Sequence, residues 1–260
     1  MDQTSENLAE PIVTVRHPSR RAMLKGAAVG AVGAVGVAAA GAGVLSAFPR
    51  SIAHAAAATS SKCLDSVQTI LNIAATAEQL AVTFYSNAIA NAGALGISGV
   101  NLDYLKAAVV EEQLHENLLL AAGAKSLTST FSFPSAGKTF KDLDTFVMTL
   151  DQLETDFESA YIIAVSELGQ QNQFGLAVLA AQIATIEAEH RVIGRSIKTS
   201  IKVPNDRAFT PVLVGSVGEA VTALTDQGYL SPKQGNSYSY SAVSTNDGYV
   251  YWRKPFVAKC

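Results

Sequence analysis

The chain has little of several residue types that particular sites require. Its two cysteines cannot form a disulfide-rich scaffold or a cysteine-rich zinc module. The net charge is −3, and no cluster of lysine and arginine lies beyond the first 25 residues, which disfavours a basic surface for nucleic acid. No apolar run in the second half is long enough to span a membrane. Apolar residues still make up 48% of 260 residues, so we expect a folded domain with a sizeable core.

The first 55 residues differ in character from the rest. Residues 19–25 contain the pair Arg20 and Arg21, a charge-free stretch rich in Ala, Gly and Val covers 26–48, and Ala53 and Ala55 form a small-x-small cleavage pattern. This segment resembles a bacterial twin-arginine export signal. The resemblance implies transfer of a folded chain across the cytoplasmic membrane, to the periplasm, cell wall or exterior, with membrane contact only through this segment. A membrane anchor is the alternative, and cleavage is left open.

Four helices are predicted in the region 56–200. Apolar residues at helical spacing indicate helices over about 62–92, 101–123, 141–170 and 173–199. Asn101 or Asp103 would cap the second helix. The polar stretch between the second and third helices is long for a helix–helix link, whereas the other two links are short. This pattern predicts an all-α fold, a four-helix bundle with one long crossover.

Residues 201–260 are expected to form a C-terminal extension that packs on the bundle. A short helix is predicted around 216–227. Period-two alternation between 237 and 252, around the turn Asn246-Asp-Gly248, predicts a β-hairpin. Its tyrosines would pack on the bundle, and a ligand-binding role for them is the less favoured interpretation.

Each histidine beyond residue 55 stands three residues after a glutamate. Glu112 precedes His115 in the second helix, and Glu187 precedes His190 in the fourth. Residues at i and i+3 share a helix face, so the carboxylate and the imidazole can reach one metal ion. A single pair of this kind is a weak signal, because ordinary surface residues of an acidic helix produce it by chance.

The first and third helices each place a glutamate among apolar residues. Glu78 is the only glutamate of the first helix, and Glu154 lies on the apolar face of the third. An unpaired carboxylate buried there would cost several kcal/mol or take up a proton, and a metal ion removes that cost. One glutamate from each of two helices, with Glu-x-x-His from the other two, is the ligand set of di-iron and di-manganese bundles. Glu158 lies one turn further along the same face, and its role is left open. It is either an extra ligand, a residue that contacts the ligands, or a carboxylate at the solvent-facing edge of the site.

With these motifs, the sequence resembles the ferritin-like superfamily, and in particular the exported bacterial ferritin-like proteins of the desiccation-related type. The resemblance rests on 71–78 with Tyr85, 112–115, 131–134, 153–154 with 160–161, and 187–190. It implies two iron or two manganese ions, with Glu112 and Glu187 bridging them. The implied metal ligands are Glu78, Glu112, His115, Glu154, Glu187 and His190. The chain has no Cys-x-x-Cys pair, so the iron–sulfur module of rubrerythrins is absent.

Several neighbours of these residues carry weaker expectations. Tyr85 and Tyr161 are core aromatics that could hydrogen-bond a ligand carboxylate. By helical phase, three other glutamates beside the ligands are expected to point into solvent, namely Glu111, Glu116 and Glu189. The arginines that follow His190 in its helix, Arg191 and Arg195, are expected to pair with Glu116 or Glu111.

The two cysteines lie near the ends of the chain once the N-terminal segment is set aside. In an oxidising compartment Cys63 and Cys260 could form a disulfide that closes nearly the whole domain. Two free thiols are the alternative, and we favour the disulfide.

Four carboxylates with two imidazoles suit iron or manganese better than zinc. The sequence therefore favours a di-metal protein with ferroxidase-like, oxidoreductase or manganese-catalase-like chemistry towards O2 or peroxide. The alternative is a non-catalytic metal-binding or stress-protective protein of the same fold. The sequence leaves open whether the protein is an enzyme, which metal it takes, its substrate and its oligomeric state.

Overall fold

The structure is a computed structural model that describes residues 64–135, 137–246 and 248–255. The predicted export signal over 1–55 lies outside the described residues. So do Cys63 and Cys260, and with them the expected disulfide. Within the described ranges, no helix combines the length and the apolar character needed to cross a membrane.

The described part of the chain contains six helices and two short strands. Four of the helices are long, and a long connection joins the second of these to the third, which confirms the predicted bundle with one crossover. The first long helix packs mainly on the second, and the third on the fourth. In chain order the elements are α1 (Val67–Ala90), α2 (Ala92–Leu95), α3 (Val100–Ala121), β1 (Thr130–Phe131), α4 (Leu143–Gln170), α5 (Phe174–Ser196), α6 (Val217–Asp226) and β2 (Tyr238–Ser239).

Local sequence accounts for several helix starts. The Ser66 hydroxyl caps α1 by accepting a hydrogen bond from the Thr69 amide at 3.1 Å, and the Asp142 carboxylate caps α4 in the same way. The capping prediction for α3 is wrong, because this helix begins at Val100, before both of the predicted cap residues. Gly99 precedes it with φ 58° and ψ −138°, a conformation that only glycine adopts at little cost. The turn into α3 is therefore made by the glycine.

Three apolar clusters fill the described part of the bundle, and they lie on either side of a polar layer. One cluster contains the stacked rings of Phe84 and Phe146, whose centroids lie 5.2 Å apart, together with aromatic residues of the crossover. Another contains Ile70 of α1 and Ile183 of α5. Along each long helix the predicted ligands fall between or next to these clusters, so packing on both sides fixes their positions.

The predicted hairpin of the tail is wrong. Strand β2 pairs antiparallel with β1 of the crossover, with Phe131 opposite Tyr238, and the described residues around the predicted 246–248 turn form no strand. The Asn236 side chain also bonds both backbone groups of Phe133, at 2.9 and 2.7 Å. The extended tail therefore satisfies its backbone groups against the crossover, which sequence alternation alone could not reveal. The short helix predicted near 216–227 is present as α6.

Candidate metal centre

The structure brings together all six residues that the sequence indicated as ligands. Their nitrogen and oxygen atoms fall into two groups, and within each group these atoms lie within 4.8 Å of one another. Glu112 of α3 and Glu187 of α5 belong to both groups, so their carboxylates are placed to bridge two ions. The first group adds Glu78 and His115, and the second adds Glu154 and His190.

The cluster lies inside the bundle. The four glutamates are at most 2% exposed and His190 is 4% exposed, whereas the side chain of His115 is 13% exposed. Charged groups are seldom buried to this degree unless they are paired or bind a metal.

Several atoms of the cluster have no hydrogen-bond partner among the described residues. These are both carboxylate oxygens of Glu112 and of Glu187, and the Nδ1 atoms of His115 and His190. Nδ1 of His115 lies 3.4 Å from Glu112, and Nδ1 of His190 lies 3.1 Å from the same carboxylate. Leaving such atoms unsatisfied costs about 1–3 kcal/mol for each group.

The donor set fits a pair of divalent cations. Two such ions would coordinate the unpartnered atoms and balance the charge of the four buried carboxylates. Oxygen donors with two imidazole nitrogens are the ligands that iron and manganese accept, and the cluster contains no thiolate.

Without metal, the carboxylates compete for protons. Burial raises the pKa of Glu112, Glu154 and Glu187, and the charge of a neighbouring carboxylate adds to the effect in each case. Burial alone would lower the pKa of His115, but the carboxylates of Glu112 and Glu78, at 3.4 and 3.6 Å from its Nδ1, outweigh burial and raise that pKa to about 10. Metal binding must therefore displace protons from this site.

Two buried tyrosines hydrogen-bond the glutamates that belong to only one ligand group each, Glu154 and Glu78. The hydroxyl of Tyr85 donates to Glu154, and the hydroxyl of Tyr161 donates to Glu78. Burial raises the pKa of both tyrosines well above its ordinary value, so both remain hydrogen-bond donors. Each tyrosine occupies one carboxylate oxygen and thereby fixes how the glutamate faces the centre.

Glu111 was expected to point away from the site, and that expectation is wrong. Its Oε2 lies 2.8 Å from Nε2 of His190. Burial alone would lower the pKa of His190, but the charge of Glu112 and the hydrogen bond with Glu111 raise it well above its ordinary value. A carboxylate on the outer nitrogen of a ligating histidine fixes the ring orientation and directs the other nitrogen to the metal.

Glu116 was also expected to be solvated, yet it is only 1% exposed. It accepts hydrogen bonds from Gln79 at 2.8 Å and from Gln113 at 2.6 Å, and a further one from the hydroxyl of Tyr240. Burial and the hydrogen bond to Glu116 raise the pKa of Tyr240 to about 12. Glu116 follows Glu112 by four residues and so shares its helix face, a signal that was readable in the sequence. Glu189 is exposed, as expected.

The predicted pairing of the two arginines with Glu111 or Glu116 is wrong as well, since both arginines face α4 and the connector that follows α5. Arg191 is buried, with its Nε 3.4 Å from Glu158, and Arg195 pairs with Asp206 at 2.7 Å. The hydroxyl of Thr210 also donates to Glu158 at 2.9 Å. Glu158 therefore lies in an ion pair outside both ligand groups.

Comparison with known proteins agrees with this architecture. A family model for the ferritin-like domain matches residues 66–199, more than half of the chain. Searches with this chain match no curated protein and no solved structure. The matched segment contains all four long helices and all six predicted ligands. The chain therefore belongs to the family of ferritin-like domain proteins.

Proposed function

We propose that this protein is exported and holds two iron or two manganese ions, which exchange electrons with O2 or peroxide. The observation that carries the proposal is the convergence of buried carboxylates and imidazoles, with oxygen and Nδ1 atoms on Glu112, Glu187, His115 and His190 that make no hydrogen bond among the described residues. An ordinary structural ion-pair network would leave few such atoms unsatisfied.

Each proposed ion has its own ligands as well as shared ones. Glu78 and His115 would bind one ion, Glu154 and His190 the other, and the two shared glutamates would bridge them. When bound, a pair of such ions supplies two-electron redox chemistry towards O2 or peroxide.

The chain's own residues supply orientation and shielding. Tyr85 and Tyr161 fix two of the glutamates, and Glu111 fixes His190. The ligands lie in a layer between apolar clusters, which limits access of water to the reacting ions. The 13% exposure of the His115 side chain indicates on which side a small oxidant reaches the centre.

The export part of the proposal is supported by the paired arginines and the apolar stretch that follows them. A signal of this type carries folded chains, which suits a protein that must acquire its ions before transport. Cell fractionation tests this part separately, because retention in the cytoplasm would contradict it without affecting the metal site.

Metal content and reactivity of the native protein test the central proposal. Elemental analysis of protein purified from its own compartment should give about two ions per chain. Fe(II) addition to metal-free protein should consume O2, or the manganese form should remove peroxide. Glu187→Ala should abolish metal retention, while the exposed neighbour Glu189→Ala should behave as the parent. Two ions without either reaction would favour the non-catalytic, stress-protective alternative, and a chain that retains no metal would overturn the proposal.

A further inference from the structure

A cavity of about 310 Å³ adjoins the candidate metal centre at His115. It lies between α3 and α5, and residues 252–255 of the tail form a third wall. His115 lines this cavity while its Nδ1 lies 3.4 Å from Glu112, so the ring separates the cavity from the proposed ions. Among the six predicted ligands, His115 is the most exposed. A group that fills the cavity therefore also covers this ligand.

The two helices line the cavity with aliphatic side chains. Leu114 and Leu118 of α3 form one side. Leu179, Ile183 and Ile186 of α5 form the other. Such walls gain dispersion energy only from closely packed apolar atoms, and protein interiors leave few spaces larger than a water molecule unfilled. A cavity of about 150 Å³ with similar walls accommodates benzene, so this larger one has room for an aromatic ring and a further side chain.

The tail brings apolar residues to this cavity. Val250 is 7% exposed and belongs to the apolar cluster of the bundle, so the tail is held on the bundle just before it reaches the cavity. Residues 252–255 then line the cavity, and the sequence continues with Phe256, Val257 and Ala258. Because consecutive Cα atoms are about 3.8 Å apart, the ring of Phe256 is within reach of the cavity from its wall.

We infer that residues 256–258 dock in this cavity, with the ring of Phe256 among the leucine and isoleucine side chains of α3 and α5. This segment is favoured over an external ligand because it is covalently attached at the cavity wall, which gives it a high effective concentration and removes most of the entropy cost of association. Docking requires no metal, so the inference goes beyond the proposed function. Only its consequence, that the segment shields the ion at His115 from solvent, rests on that function.

Methyl NMR of the full metal-free chain tests the docking directly. The ring protons of Phe256 should show nuclear Overhauser effects to methyl groups of the cavity leucines, and Phe256→Ala should shift those methyl resonances. Phe209→Ala is the matched control, because it removes an aromatic ring that is 88% exposed and does not line the cavity, and it should leave the same resonances unchanged. A parent chain without these effects, or cavity methyl resonances that do not respond to Phe256→Ala, would overturn the inference.

Benzene provides the second measurement, since it can enter the cavity only where the ring of Phe256 does not already lie. Phe256→Ala should bind benzene saturably, and the parent and Phe209→Ala should bind it at least tenfold more weakly. Equal benzene affinity in all three proteins would show a cavity open to external apolar ligands and would overturn the inference. Both measurements use metal-free protein, so their failure leaves the metal centre untouched. A chain that passes both and still retains no metal contradicts the metal centre alone.

Discussion

Glu111 and His190 are joined across two helices by a contact of 2.8 Å between Oε2 of the carboxylate and Nε2 of the ring. The opposite nitrogen of the ring, Nδ1, faces Glu112 at 3.1 Å and has no hydrogen-bond partner among the described residues. Glu111 therefore determines which nitrogen of His190 is offered to a metal ion, although it belongs to neither ligand group.

Removing this contact should weaken the binding of one ion. We expect Glu111→Ala to reduce the affinity of the ion at His190 by about 10–100-fold, the usual effect of losing a partner of a ligating histidine. The ion at His115 should be held as before. Isothermal titration of metal-free protein with Mn(II) would resolve the two steps, and Glu189→Ala is the matched control. Two unchanged binding steps in Glu111→Ala would show that Glu111 does not orient the ligand.

Two buried glutamates one turn apart should behave differently. Glu112→Ala removes a carboxylate shared by both ligand groups, so the protein should retain little metal. Glu116→Gln changes a residue bonded to Gln79, Gln113 and Tyr240, and should keep about two ions while losing about 1–3 kcal/mol of stability. Elemental analysis and chemical denaturation measure the two effects. Metal loss of the same size in both variants would contradict the assignment of ligands.

The convergence of the six candidate ligands could be predicted because the spacing that a metal site requires is visible within single helices. Glu112 with His115, and Glu187 with His190, require spacing i to i+3, while Glu78 stands out as a carboxylate among apolar residues. These signals lie within single helices. The contact of Glu111 with His190 joins residues 79 positions apart, and its formation depends on how α3 and α5 face each other.

The tail illustrates the same limit. Alternation around Asn246 predicted a hairpin, in which the extended segment pairs with its neighbour along the chain. A strand pairs instead with whichever edge its side chains can pack against. In the structure the edge belongs to β1, since Phe131 and Phe133 of the crossover are buried and bring that segment to the bundle. The start of α3 was not predictable from capping residues alone. Asn101 and Asp103 are good caps, but the turn before the helix needs a positive φ, which Gly99 adopts at little cost.

Metal should stabilise the fold, since the cluster without metal holds four carboxylates in a buried space. At a metal concentration 100 times the dissociation constant, one binding site adds about 2.7 kcal/mol. For a domain of this size that corresponds to a rise in Tm of about 5–11 °C. Differential scanning calorimetry of metal-free protein with and without Mn(II) measures it. A Tm that does not change with metal would contradict the site, and Glu112→Ala should show no rise.

Asp156 should make stability depend on pH. It lines a small apolar cavity, its Oδ2 has no hydrogen-bond partner among the described residues, and burial raises its pKa to about 6. Because the folded pKa lies above the unfolded value of about 3.9, the favourable contribution is full below pH 4 and is lost as pH rises through about 6. Asp156→Asn should therefore raise the free energy of unfolding at pH 8 by about 1 kcal/mol, allowing for partial solvent screening, and leave it unchanged at pH 4. Denaturation at both pH values, at fixed metal content, measures this. An equal gain at both would assign the effect to something other than ionisation.

The close approach of α4 and α5 should make one glycine irreplaceable. A Cβ on Gly194 would overlap the side chain of Leu150, which is 1% exposed and packed in the core. Glycine to alanine within a helix normally stabilises by up to about 1 kcal/mol, but forced overlap in a packed core costs about 1–3 kcal/mol. Overlap should dominate here, because the added Cβ would lie less than 3.0 Å from both Cδ atoms and from Cγ of Leu150, so that the whole side chain must move. Gly194→Ala should therefore lower the free energy of unfolding and weaken metal retention at His190, one turn away. Gly175→Ala in the same helix meets nothing within 4 Å and should be neutral or slightly stabilising. If Gly194→Ala were as stable as Gly175→Ala, the packing of α4 on α5 would be looser than the structure shows.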